Sequence, residues 1–215
     1  MNKIQTAILR TLAYADVFAY PLTLKELHQF LIGQKTESQS LRESLKTLKN
    51  VSLKGNYFFL KNKEKNVSLR RKRKKWSQGK WLVARKVAGW LKLIPWIKMV
   101  AVTGNLAMDN AEKNDDVDLL IVTARKRLWL TRLLTNFLVE MVADRRRPND
   151  KEVKDKICLN MFLAEDQLKI PLKEQNIVTA HEVCQLKLLW ERKNSYQKFV
   201  QKNLWSQKFL PNWKP

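Results

Sequence analysis

Two short apolar runs, Met99-Val100-Ala101-Val102 and Val117 to Val122, constrain this chain more than any other feature. Each is too short for a buried helix and rich in β-branched residues, so both read as buried strands. Between them stands Gly104-Asn105, a turn signal, followed by Leu106 to Met108, enough for one helical turn. Two adjacent buried strands need helices to cover them, which predicts an α+β domain with a mixed sheet. The best later strand is Lys156 to Leu163, with Leu159, Met161 and Leu163 on one face and Cys158, Asn160 and Phe162 on the other.

The second run opens on acids. Asp109, Glu112, Asp115, Asp116 and Asp118 all lie between positions 109 and 118, in a chain with 42 Lys and Arg against 20 Asp and Glu. Asp116 and Asp118 are two apart, which on a strand puts both carboxylates on one face. Like charges side by side repel, and a cation relieves the repulsion. Oxygen ligands alone favour magnesium or manganese over zinc. The only two cysteines, Cys158 and Cys184, make neither a disulfide framework nor a four-ligand zinc site.

The order strand, Gly104-Asn105, ten residues, Asp116-Val117-Asp118-Leu119 resembles the signature of the nucleotidyltransferase superfamily related to DNA polymerase beta. The resemblance implies that Gly104 and Asn105 face a triphosphate and that Asp116 and Asp118 hold metal and carry the catalysis. The implied cofactor is Mg2+ or Mn2+, and the implied substrate a nucleoside triphosphate, with ATP expected. Two departures stand out. Asn105 replaces the usual small residue, and Asn160 stands where a third carboxylate is expected; Asp144, Asp150 and Asp155 are the substitutes nearby. The whole chain is also similar to a group of bacterial proteins that join a winged-helix start to such a core, through Leu12-Ala13-Tyr14 to Leu22-Thr23, Arg127 to Arg132, Asp155 to Asn160, and Thr179 to Glu182.

The N-terminal segment supports that division. Ile4, Ala7, Ile8, Leu12 and Ala15 recur at helical spacing, and Tyr20-Pro21 interrupts them. Thr23 with Glu26 forms a capping box for a second helix through Leu31. A third helix starts at Ser38 or Ser40 with Leu41, Leu45 and Leu48 on one face. Val51 to Leu60 then reads as a hairpin turned at Gly55-Asn56. Three helices and a hairpin resemble a winged-helix module.

Charge is concentrated after the hairpin. The chain carries a formal +22, and +13 of it lies between residues 61 and 98, where Glu64 is the sole acid. Glu64 to Leu93 is expected as a long basic linker helix that Pro95 stops. Its core, Arg70, Arg71, Lys72, Arg73, Lys74 and Lys75, suits a polyanion such as nucleic acid, or is a solvated face.

Arg127 and Arg132 follow the second strand and are candidates for phosphate contact. Trp129, Leu130, Leu133, Leu134 and Phe137 read as core. His181 reads as packing rather than a metal ligand, because Glu182 is its one local companion. The C-terminal segment, with Val183, Leu189, Trp190, Phe199 and Trp205, reads as a helical cover. The expected organisation is a winged-helix-like module over 1–62, a basic linker helix over 63–95, a nucleotidyltransferase-like core over 96–164 and a helical region over 165–215. Arg10 and Asp16 interrupt the first apolar stretch, and Lys92, Pro95 and Lys98 the next, so neither suits export or spanning, and a cytoplasmic protein with no membrane span is expected. Two functions fit: a metal-dependent nucleotidyltransferase acting on an acceptor hydroxyl, or a non-catalytic nucleic-acid-binding or regulatory protein on a degenerate core.

Overall fold

A computed structural model describes residues 1–215 as an α+β protein with eight α-helices and two sheets. The chain divides into two compact units. The first comprises Met1–Lys72, Lys173–Cys184 and Trp205–Pro215, the second Arg73–Leu172 and Gln185–Leu204. No helix is long and apolar enough to cross a membrane.

In the first unit, α1 (Lys3–Val17) begins at a capping box made by Asn2 and Gln5 and buries Ala7, Ile8, Thr11, Leu12 and Ala15. After β1 (Leu22–Thr23), α2 (Leu24–Gln29) starts at the expected box. The Thr23 hydroxyl accepts from the Glu26 amide, and the Glu26 carboxylate accepts from the Thr23 amide at 2.8 Å. Ser38 is the first residue of α3 (Ser38–Lys46), which buries Leu41 and Ser44. The hairpin is β2 (Val51–Lys54) and β3 (Tyr57–Leu60), turned where Gly55 takes a φ of +61°. All three strands pair antiparallel in the order β1-β3-β2.

The chain end returns to this unit. Gly33 donates its amide to the Phe209 carbonyl at 2.8 Å, and the Trp213 indole donates to the Cys184 carbonyl at 3.0 Å. His181 is buried and stacks on the Tyr14 ring at 4.3 Å; burial lowers its pKa to about 4. A neutral packed ring is what the sequence reading expects there.

The second unit is built on a four-stranded sheet in the order β6-β5-β4-β7, with β4 (Ile97–Val102), β5 (Val117–Thr123), β6 (Ile157–Ala164) and β7 (Lys187–Glu191). β5 runs antiparallel to β4 and parallel to β6, so the sheet is mixed as expected. β7 pairs antiparallel with β4 and corrects the expectation of an all-helical region over 165–215. Leu189 and Trp190 lie on that strand, and helical spacing of apolar residues around them had concealed it. The core joins Ala84, Val87 and Leu91 to Val100, Val102, Leu119, Ile121, Val139 and Ile157. The first three belong to α4 (Lys65–Leu91), a 27-residue helix that begins one residue later than expected and ends four residues before Pro95. α5 (Gly104–Ala107) is a single turn, α6 (Leu128–Val142) follows β5, α7 spans Ile177–Gln185, and α8 (Ser195–Lys202) contacts β4 and β7.

α6 reverses its expected orientation. Thr131, Thr135 and Val139 are its buried residues, while Trp129, Leu130, Leu133, Leu134, Phe137 and Met141 are exposed. The expectation that these large side chains form core is therefore corrected: the helix turns its threonines to the sheet.

Candidate active site

The acidic cluster sits where β5 begins. Asp116 immediately precedes the strand, and Asp118 is its second residue. One donor atom each of Asp116, Asp118 and Cys158 lie within 4.8 Å of one another, all half-buried. Asp118 and Cys158 meet because β5 and β6 are parallel neighbours in register at that pair. Asn160, two residues further along β6, is exposed. Cys158, and not Asn160, is thus the β6 residue beside Asp118. A bulge between Asp118 and Leu120 shifts the register past this point, which simple alternation cannot anticipate.

Gly104 closes the other side. It adopts a φ of +65°, the left-handed region that favours glycine, and a Cβ at that position would lie 2.8 Å from Asp118 Oδ2. Two requirements therefore coincide at Gly104, a backbone conformation and an approach that only a hydrogen permits. Thr103 donates its amide to the Asp118 carbonyl at 3.1 Å, tying the end of β4 to the start of β5.

Burial raises the Asp118 pKa above the usual carboxylate range, and the neighbouring Asp116 charge adds to the rise. A hydrogen bond from Cys158 and the Arg146 charge work in the opposite direction. Burial pushes the Cys158 thiol up to about 12, reinforced by Asp118. Cys158 is accordingly a neutral donor to Asp118 rather than a thiolate. Arg146 Nη1 lies 2.6 Å from Asp116 Oδ2 and is the cation that balances the pair. The sequence contained no signal for this beyond the Arg145-Arg146-Arg147 run. The donor set of two carboxylates and a neutral thiol fits a hard divalent cation through Asp116 and Asp118, with Cys158 contributing no charge.

The loop from Asp109 to Asp115 is held by one face of α4. Arg73 donates to Asn110 Oδ1 at 3.3 Å and pairs with Glu112. Ser77 Oγ accepts from the Ala111 amide at 3.2 Å, and the Trp81 indole donates to Asp109 Oδ1 at 2.7 Å. Lys80, 1% exposed, reaches the carbonyls of Lys113 and Asp115 and, at 2.7 Å, Asp155 Oδ1. Positions 73, 77, 80 and 81 share one helical face, so α4 fastens the segment that joins Gly104 to Asp116. Asn105 also holds this loop, donating to Asp115 Oδ2 at 3.2 Å.

The basic run is correspondingly divided. Arg70 pairs with Glu26 at 2.6 Å, also donates to the Pro21 carbonyl, and lies over the Tyr20 and Tyr57 rings at 4.0 and 4.6 Å. Arg70 and Arg73 are thus internally engaged, whereas Arg71, Lys72, Lys74 and Lys75 are exposed. Arg127 and Arg132 are exposed as well. Arg127 lies over the Trp96 ring at 5.2 Å, and Arg132 over the Trp129 and Phe162 rings at 5.8 and 5.6 Å.

No family model matches the chain, and no curated protein does. Among solved structures it is similar to "Crystal structure of the toxin-antitoxin with AMP-PNP", at 16% identity over 55% of this chain and 82% of that one, with a TM-score of 0.32. A score that low carries no argument about fold or chemistry.

Proposed function

We propose that this protein is a metal-dependent nucleotidyltransferase that moves a nucleoside monophosphate from a nucleoside triphosphate, with ATP expected, to an acceptor hydroxyl. The observation that carries the reading is the meeting of Gly104 with Asp118, in which a glycine required by both φ and space lies against a paired carboxylate. Within it, the first unit is a winged-helix-like module, α4 its basic linker, and the β4–β7 sheet the transferase core.

Asp116 and Asp118 would hold Mg2+ or Mn2+. When bound, such a cation lowers the pKa of the attacking hydroxyl and stabilises charge on departing pyrophosphate. The residues of the chain divide the remaining work. Gly104 keeps the space beside Asp118 clear, and its exposed backbone, with that of Asn105, faces the triphosphate. Arg146, now paired with Asp116, is a guanidinium suited to phosphate oxygens once the carboxylate has another counter-charge. Cys158 supplies a hydrogen bond that keeps Asp118 oriented but no third negative charge.

Calorimetric titration with each nucleoside triphosphate, with and without Mn2+ or Mg2+, tests the reading. Metal-dependent binding that disappears in Asp116→Asn/Asp118→Asn supports it. Cys158→Asp, which supplies the third carboxylate, should tighten metal binding by about tenfold, because affinity follows the number of charged ligands. Absence of triphosphate binding in both wild type and Cys158→Asp sinks it.

A second reading is favoured by two observations: the thiol at the third position and the four exposed bases on α4. In that case the core is degenerate and the protein binds nucleic acid. Neutralising Arg71, Lys72, Lys74 and Lys75 would then abolish salt-sensitive binding to RNA or DNA while Asp116→Asn leaves it intact.

A further inference from the structure

The large side chains that α6 turns outward form a line. Trp129, Leu133, Phe137 and Met141 are spaced four apart and are 76, 64, 65 and 67% exposed, with Leu130 and Leu134 beside them. The opposite face buries Thr131 and Thr135, whose hydroxyls have no hydrogen-bond partner. A helix with polar groups inward and its apolar ridge outward is the inverse of a solvent-facing helix, and it needs a cover.

From this face we infer that α6 is a homodimer interface, paired antiparallel with α6 of a second copy about a two-fold axis between Leu133 and Phe137. Three features point to a second copy. First, the ridge is self-complementary. About that axis Leu133 meets Phe137 of the other copy and Trp129 meets Met141, a sulfur–aromatic pair, in the ridge-into-groove packing that rows spaced by four adopt. Second, the six side chains expose on the order of 700 Å2, against about 800 Å2 that each partner buries in a stable complex. Third, α6 carries only two charges in a chain of +22, and both are engaged within the chain: Glu140 pairs with Arg145 at 2.9 Å and Arg147 at 3.3 Å, and Arg132 lies over the Trp129 and Phe162 rings, so the ridge itself presents no free charge.

Sedimentation velocity of the full chain over a range of protein concentration and salt tests the inference. The dimer is expected to tighten as salt rises from about 0.05 to 0.5 M, because screening relieves repulsion between two basic chains. Leu133→Glu/Phe137→Glu, at exposed positions, is expected to weaken it by about 30-fold or more with circular dichroism unchanged. A monomer at every concentration and salt, a dimer indifferent to the ridge substitutions, or a monomer that floats with phosphatidylserine vesicles would each overturn it.

Discussion

Two helices of the second unit's sheet region make opposite use of their sequences. α4 is among the most basic segments of the chain, yet it turns Arg73, Ser77 and Lys80 inward, onto the acidic loop from Asp109 to Asp115 and, for Lys80, onto Asp155 as well. α6 is among the most apolar, yet it turns Trp129, Leu133, Phe137 and Met141 outward and buries two threonines without partners. Composition would place the first at the surface and the second in the core. The difference teaches that a helix face is chosen by what stands opposite it. The loop with Glu112 and Asp115 offers acceptors that make buried cations tolerable, whereas the sheet behind α6 leaves room only for small side chains near Thr131 and Thr135.

The contrast can be probed through buried polar groups, beginning where the effect should be greatest. His181 binds a proton more readily unfolded than folded, since burial lowers its pKa from 6.5 to about 4. Its stabilising contribution is therefore complete above pH 6.5 and is lost as pH falls toward 4, amounting to about 3 kcal/mol. Urea midpoints across that range should show the slope, and His181→Phe should flatten it. If the slope persists in the variant, burial of a neutral ring is not its source.

Lys80 is the counterexample, a buried base surrounded by acceptors. Removing one acceptor by Asp155→Ala should cost about 2 kcal/mol, the usual loss for a hydrogen bond to a buried charge, with Asp155 itself partly solvated. A cost near zero would mean that the two backbone carbonyls suffice for Lys80. On α6 the expectation changes sign. Thr135→Val removes a hydroxyl that is buried without a partner and should stabilise by about 1 kcal/mol. Destabilisation there would show that the hydroxyl finds an acceptor in solution. At the bottom of the scale, Leu133→Gln on the exposed face should alter the stability of the monomer by less than about 0.5 kcal/mol, read by thermal unfolding at high dilution.

These magnitudes also separate what the sequence made legible from what it did not. The Thr23–Glu26 capping box, the Gly55 turn and the β4–β5 pair are local, with signal and partner within a few residues, and all are present in the structure. The spacing from Gly104 to Asp118 was legible for the same reason. Lys80 was not, because nothing near position 80 announces that Asp155, 75 residues on, will meet it. β7 was hidden by apolar residues whose order suits helix and strand alike, and only pairing with β4 decides between them. Cys158 stands beside Asp118 because β5 and β6 pair in that register, and the periodicity of one strand does not announce its register with another.

The fastening of the acidic loop by α4 also has an order in time. The contacts from Trp81 to Asp109, Ser77 to Ala111 and Arg73 to Glu112 span 28, 34 and 39 residues, and Lys80 to Asp155 spans 75. During synthesis from the N-terminus, α4 leaves the ribosome before any of its partners. A nascent chain stopped soon after Asp115 possesses the loop and most of its fasteners but lacks the carboxylate that completes the environment of Lys80. The environment of Lys80 is thus complete only once Asp155, two residues before β6, has emerged.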